Sequence, residues 1–203
     1  LETLFALVAL LGIVARPDGA RELVREPKSG VVLPARIDGM SLLGMGLRTK
    51  SFLKLKVYVV GLYVADSALS GALAVHRGRA STRAFYRDLI VGDFEKQLVL
   101  KLVRGLSAEQ IRRAFRTHLP AADKQLLARF LAYFGATRAG EECVIRWVPG
   151  SGLRTTVAGV RKPPIASKAF ADAVFAIWLG HASGSASFRR QMVSRADRLL
   201  EQR

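Results

Sequence analysis

Acidic residues are scarce in this chain: 16 Asp and Glu stand against 32 Lys and Arg, a formal charge of +16 over 203 residues. A surplus that large draws phosphates, carboxylates and anionic membrane surfaces toward a protein, and says nothing about its fold. Aromatic residues are also few, at 8%. The cations are spread along the whole length and are not interleaved with rings as in a base-stacking platform, which argues against nucleic acid as a partner. A single cysteine, Cys143, excludes an intramolecular disulfide and any cysteine cluster for zinc or iron and sulfur. His76, His118 and His181 are thereby left without metal-site companions, and no structural metal is expected. Cys143 itself lies in "ECVIRWV", which reads as a strand with a buried, inert thiol. Long apolar runs are missing too. The run from Leu4 to Ala15 is too short to span a bilayer but suits the core of a secretory signal. Residues 1–30 are therefore expected to form a signal-like segment and polar lead-in, cleaved between Ala15 and Ala20, and 31–203 a single exported, periplasmic domain.

Familiar catalytic motifs are absent as well. There is no nucleophile elbow, phosphate loop or metalloprotease motif. The "GMG" of Gly44 to Gly46 lacks the third glycine and following helix of a dinucleotide site, and reads as a turn. Asp88, Asp93 and Glu95 could serve as paired carboxylates only if the fold united them, and on the sequence they read as solvated loop residues.

What is present is strong periodicity. "GVVLPARIDGMSLL" holds two short apolar runs broken by Gly39, and "FLKLKVYVVGLYV" alternates for more than ten residues. Alternation sets Leu53, Leu55, Val57 and Val59 on one face and Lys54, Lys56, Tyr58 and Val60 on the other. One face is core, the other solvent or a cleft wall. "QLVLKLV" is a further strand. Ser107 with Gln110 makes a capping box for a helix whose Ile111, Ala114, Phe115 and His118 share one stripe. "DKQLLARFLAYF" repeats the pattern with Leu126, Leu127, Phe130, Leu131 and Phe134 before Gly135. "CVIRWV" and "LRTTVAGV" are strands joined by the turn "PGSG". A last helix runs from the cap Ser167 through Phe170, Ala173, Val174, Ile177 and Trp178 to Gly180. The irregular alternation of elements predicts an α+β fold, an antiparallel sheet with its helices on one face.

Arg48, standing just ahead of the alternating strand, is the candidate for chemistry, since a guanidinium beside an apolar cleft presents a fork of donors to a carboxylate or phenolate. "GMGLRTKSFLKLKVYVVGLYVAD", "AFYRDLIVGDFEK", "RGLSAEQIRRAF" and "SKAFADAVFAIWLG" together resemble the chalcone isomerase superfamily, in its bacterial isomerase-like branch, over Val31 to Val193. The resemblance implies an open-faced β-sandwich, a long antiparallel sheet with a helical layer on one face. It places the family's catalytic arginine on Arg48, which would polarise the ketone and stabilise the developing enolate. Other site positions depart: a strand threonine becomes Tyr58, a helix tyrosine Ile111, a helix asparagine His118, and a serine or threonine on the last helix Ile177. Those losses imply a protein that is not an efficient isomerase. Branches of the superfamily that bind fatty acids meet the carboxylate with an arginine and a strand tyrosine, which Arg48 and Tyr58 resemble, with Lys56 two residues away. The expectation is thus a binder of a hydrophobic, fatty-acid-like carboxylate with Arg48, Tyr58, Lys56, Ile111, His118 and Ile177 around it. One alternative is an isomerase of the intramolecular lyase type, acting on a chalcone-like or other enone with Arg48 and His118, an imidazole of ordinary pKa about 6.5. Another is a basic protein docking on a membrane surface or partner with a vestigial cleft. No cofactor is expected, a haem held by His118 being the minor alternative.

Overall fold

The computed structural model describes residues 22–50, 55–119, 121–181 and 185–203. The apolar run Leu4 to Ala15, and Leu53 and Lys54 of the alternating strand, lie outside the described residues. Two sheets are present among those described. The small one pairs β1 (Leu23–Arg25) with β2 (Val32–Pro34), so part of the expected polar lead-in is a strand. The large one takes seven antiparallel strands in chain order: β3 (Arg36–Ile37), β4 (Met40–Lys50), β5 (Leu55–Ala65), β6 (Lys96–Leu102), β7 (Glu142–Val148), β8 (Gly152–Val157) and β9 (Val160–Arg161). Neighbours in sequence are neighbours in space because tight turns join several of them. Asp38 (φ 47°) and Gly39 (φ 72°) both occupy the left-handed region between β3 and β4, the signature of a primed two-residue turn. Ala158 (φ 48°) and Gly159 (φ 80°) do the same between β8 and β9. The latter divides "LRTTVAGV", expected as one strand, into two.

Seven α-helices accompany the sheet among the described residues: α1 (Asp66–Ser70), α2 (Arg83–Val91), α3 (Ala108–His118), α4 (Lys124–Leu131), α5 (Lys168–Leu179), α6 (Ala186–Met192) and α7 (Ala196–Glu201). The capping box of Ser107 and Gln110 starts α3 as read, and Ser167 caps α5 by accepting from the Phe170 amide. The helical layer covers one face of the sheet, along which register aligns Leu62, Leu98 and Ile145, all fully buried. Each such side chain removed from water contributes about 1.5–3 kcal/mol. On the opposite face the small sheet lies across the large one. Leu33 packs where a side chain at Gly61 would stand, and the Tyr63 hydroxyl donates to the Pro34 carbonyl at 2.7 Å.

Gly44 and Gly46 are not a turn but part of β4, and their role is close approach. A Cβ at Gly44 would sit 2.3 Å from the Gln191 carbonyl oxygen, and one at Gly46 would sit 2.6 Å from the Phe188 ring. Missing side chains let α6 settle directly on the strand.

The two ends of the large sheet differ. At one end polar side chains are tied into the layer above. Lys96 is fully buried, its ammonium donating to the carbonyls of Leu89 (2.8 Å), Ile90 (2.5 Å) and Gly92 (3.0 Å) around the C-terminus of α2. The three carboxylates expected to be solvated are engaged: Asp88 with His76 (2.8 Å) and Arg87, Asp93 with the Trp147 indole (2.9 Å), Glu95 with Arg146 (2.8 Å). At the other end, where β4 finishes and β5 begins, sheet and helices part around a cavity.

Candidate functional site

The cavity encloses about 590 Å³ and is lined from four directions. The sheet contributes Tyr58, Leu100, Leu102, Cys143 and Val157, which register places on one face: Tyr58 opposes Leu102, Leu100 opposes Cys143, and Cys143 opposes Val157. From α3 come Ile111, Ala114, Phe115 and His118, the whole stripe read from its spacing. Ile177 and Trp178 enter from α5, and Phe134 from the segment after α4. Phe115 anchors this wall, its ring 4.8 Å from that of Phe134 and 6.3 Å from that of Trp178. Cys143 at the floor is buried, and burial, with Glu142 adding to it, pushes its thiol up to about 12, so no thiolate forms there at neutral pH.

Arg48 and Tyr58 stand at the head of this apolar space. They are direct partners across β4 and β5, so both side chains rise from the same face of the sheet. The Trp178 indole N–H donates to the Tyr58 hydroxyl at 3.0 Å. An indole nitrogen can only donate, so the hydroxyl accepts there and keeps its own hydrogen for another acceptor. Burial pushes the Tyr58 phenol above its ordinary pKa, against the opposing pull of the Trp178 bond and the Arg48 charge, so it stays a neutral donor. The Arg48 guanidinium lies 6.0 Å from the centre of the Phe188 ring, within cation–π range. His118 is held below its usual pKa, first by burial and then by the charge of Arg48, and is a neutral imidazole at neutral pH.

Five of the six expected site residues thus line one cavity: Arg48, Tyr58, Ile111, His118 and Ile177. Lys56 does not. Its ammonium reaches outward to the Lys28 carbonyl in the β1–β2 hairpin. The cause is a bulge: pairing steps from Arg48↔Tyr58 to Thr49↔Lys56, leaving Val57 as an extra residue on β5. One inserted residue reverses the facing of everything beyond it. Lys56 is turned off the Tyr58 face and Leu55, assigned by alternation to the other face, joins the cavity lip. Sequence reasoning also passed over Trp178 as the partner of Tyr58, Phe188 beside Arg48, and two cations of the lining, Lys50 and Arg104. Arg104 follows the strand "QLVLKLV" by a single residue, which was the available signal.

Chemically, the arrangement offers a charged fork and a neutral hydroxyl at the head of an apolar chamber. No Asp or Glu is among the lining residues described. Residues 32–194 match the family described as chalcone isomerase-like. The chain belongs to that family. This chalcone isomerase-like chain is 30% identical over 186 residues to chalcone isomerase-like protein 1 of Humulus lupulus, spanning 76% of this chain and 81% of that one. It is 38% identical over 111 residues to fatty-acid-binding protein 1 of Arabidopsis thaliana, covering 48% of this chain and 39% of the relative. Among solved structures, the crystal structure of an Arabidopsis thaliana fatty-acid-binding protein matches with a TM-score of 0.76 at 23% identity, over 89% of this chain and 100% of that one. That likeness carries the fold, the α+β open-faced sandwich.

Proposed function

We propose that this chalcone isomerase-like protein binds a hydrophobic carboxylate of the fatty-acid kind, its chain in the cavity and its head group between Arg48 and Tyr58. One observation carries the reading: Arg48 and the hydrogen-bonding Tyr58 are cross-strand neighbours at the head of a largely apolar chamber. A volume of about 590 Å³ lies within the usual range for small-molecule sites, about 300–1,000 Å³. Each buried methylene contributes about 0.8 kcal/mol, and a hydrogen bond to a charged group about 1.5–3 kcal/mol. Chain and head group together therefore suffice for useful affinity. The relative named as a fatty-acid-binding protein supports the same assignment. Ile111 and Ile177 favour holding over converting, because they bring methyl groups to positions from which a proton or an enolate would need a polar partner. The apolar run Leu4 to Ala15 and the "IWLG" of α5 make an exported bacterial setting part of this proposal.

Titration calorimetry with dodecanoic acid and dodecanol, on wild type and Arg48→Ala, tests it. Loss of the guanidinium should weaken the acid by about 1.5–3 kcal/mol, roughly ten- to a hundredfold, and leave the alcohol much less affected. Equal losses for acid and alcohol would mean that Arg48 serves packing and reads no anion.

A further inference from the structure

The mouth of the cavity carries more positive charge than one carboxylate calls for. Besides Arg48, the lining includes Lys50 and Arg104. Neither Lys50 nor Arg104 enters an ion pair among the described residues. The fold gathers these cations from separate parts of the chain. Arg48, Tyr58 and Leu102 form one row across β4, β5 and β6. Lys50 ends β4 two residues beyond Arg48, and Arg104 stands two residues past Leu102, in the bend that follows β6; both line the cavity. β4 and β6 flank β5, about 10 Å apart at two strand spacings, a gap that two long basic side chains can close on one head group. Lys50 and Arg104 add two permanent cations beside Arg48, and no Asp or Glu is among the lining residues described.

Resting on the reading that the cavity holds a hydrocarbon chain with its anionic end at Arg48, we propose that the preferred head group is a phosphate monoester on a single hydrocarbon chain. A phosphate monoester carries about −1.5 to −2 charges at neutral pH and three acceptor oxygens. Arg48 and Tyr58 take the oxygens that a carboxylate would offer, while Lys50 and Arg104 meet the extra oxygen and the extra charge.

Calorimetry with dodecyl phosphate, dodecanoic acid and inorganic phosphate, at neutral pH and fixed salt, decides the matter on wild type and on the Lys50→Ala, Arg104→Ala double variant. Dodecyl phosphate should bind wild type about tenfold tighter than dodecanoate or better. The double variant should lose that margin while keeping its dodecanoate affinity within about threefold, which also shows that it is folded. Equal affinities of the two dodecyl ligands on wild type would overturn the proposal. So would a double variant weakened equally toward both, the mark of a general field, or inorganic phosphate competing as well as the dodecyl ester. If no dodecyl ligand binds, the chain-holding reading itself fails and takes this proposal with it; if dodecanoate binds and the phosphate gains nothing, only this proposal fails.

Discussion

Tyr58 shows how a single side chain is prepared for a ligand. Its hydroxyl accepts from Trp178, its burial keeps it protonated, and its strand partner is the arginine that would share the ligand's charge. His118 is tuned by the same surroundings in the opposite sense, since burial and Arg48 both disfavour its charged form. An anion settling beside Arg48 would offset that repulsion, so binding should raise the His118 pKa. By linkage, the ligand should then bind more tightly as pH falls through the His118 titration. Following the His118 imidazole proton by NMR across pH, with and without dodecanoate, checks this. A titration curve unmoved by saturating ligand would place the head group away from Arg48.

Between elements, the glycines of β4 decide how closely α6 approaches, and the two differ in what they meet. At Gly44 the obstacle is backbone, which cannot yield, so Gly44→Ala should cost about 1–3 kcal/mol in thermal or urea unfolding. At Gly46 the obstacle is the ring of Phe188, which can turn aside. Gly46→Ala should therefore cost less stability, yet weaken dodecanoate binding, because the displaced ring is the one beside Arg48. These positions also show what the sequence made legible. The stripes of α3 and α5 were readable because helical spacing is local: Ile111, Ala114, His118 and Ile177 reach the cavity wherever the helix lies on the sheet. The facing of Lys56 was not readable, since it hangs on a bulge at Val57 set by pairing with β4. Gly44 and Gly46 read as a turn because the helix they admit lies some 140 residues further on. Trp178 was legible as core, but its bond to Tyr58 joins positions 120 residues apart. The short helices α6 and α7 hold too few turns for their spacing to stand out, although Ser185 caps the first.

Over the whole molecule, charge is the dominant property, and Lys96 is its extreme case, a cation wholly inside. Burial pulls its pKa from the ordinary 10.5 to about 7, nearby Lys168 adding to the effect and Asp172 and Asp93 opposing it. Between those two values the unfolded chain keeps a proton that the folded protein has released, so stability should climb as pH rises from about 7 toward 10.5. The limiting slope for one such group is about 1.4 kcal/mol per pH unit, and Lys96→Met should remove it. Urea unfolding of both proteins across that interval checks the point, and parallel curves would show that the three carbonyls hold the ammonium at its normal pKa. Lys96 belongs to the tied end of the sheet and the cavity to the other. That asymmetry sets how the protein should breathe. Along β5, Val60, Leu62, Tyr63 and Val64 are fully buried, whereas Leu55 at the lip is 44% exposed. Backbone amides near Val64 should exchange with solvent only when the whole domain opens, and those from Leu55 to Tyr58 through local fraying. Hydrogen exchange read residue by residue should show that gradient along a single strand. A bound chain should slow only its fast half, so that a ligand can enter and leave without the rest of the molecule unfolding.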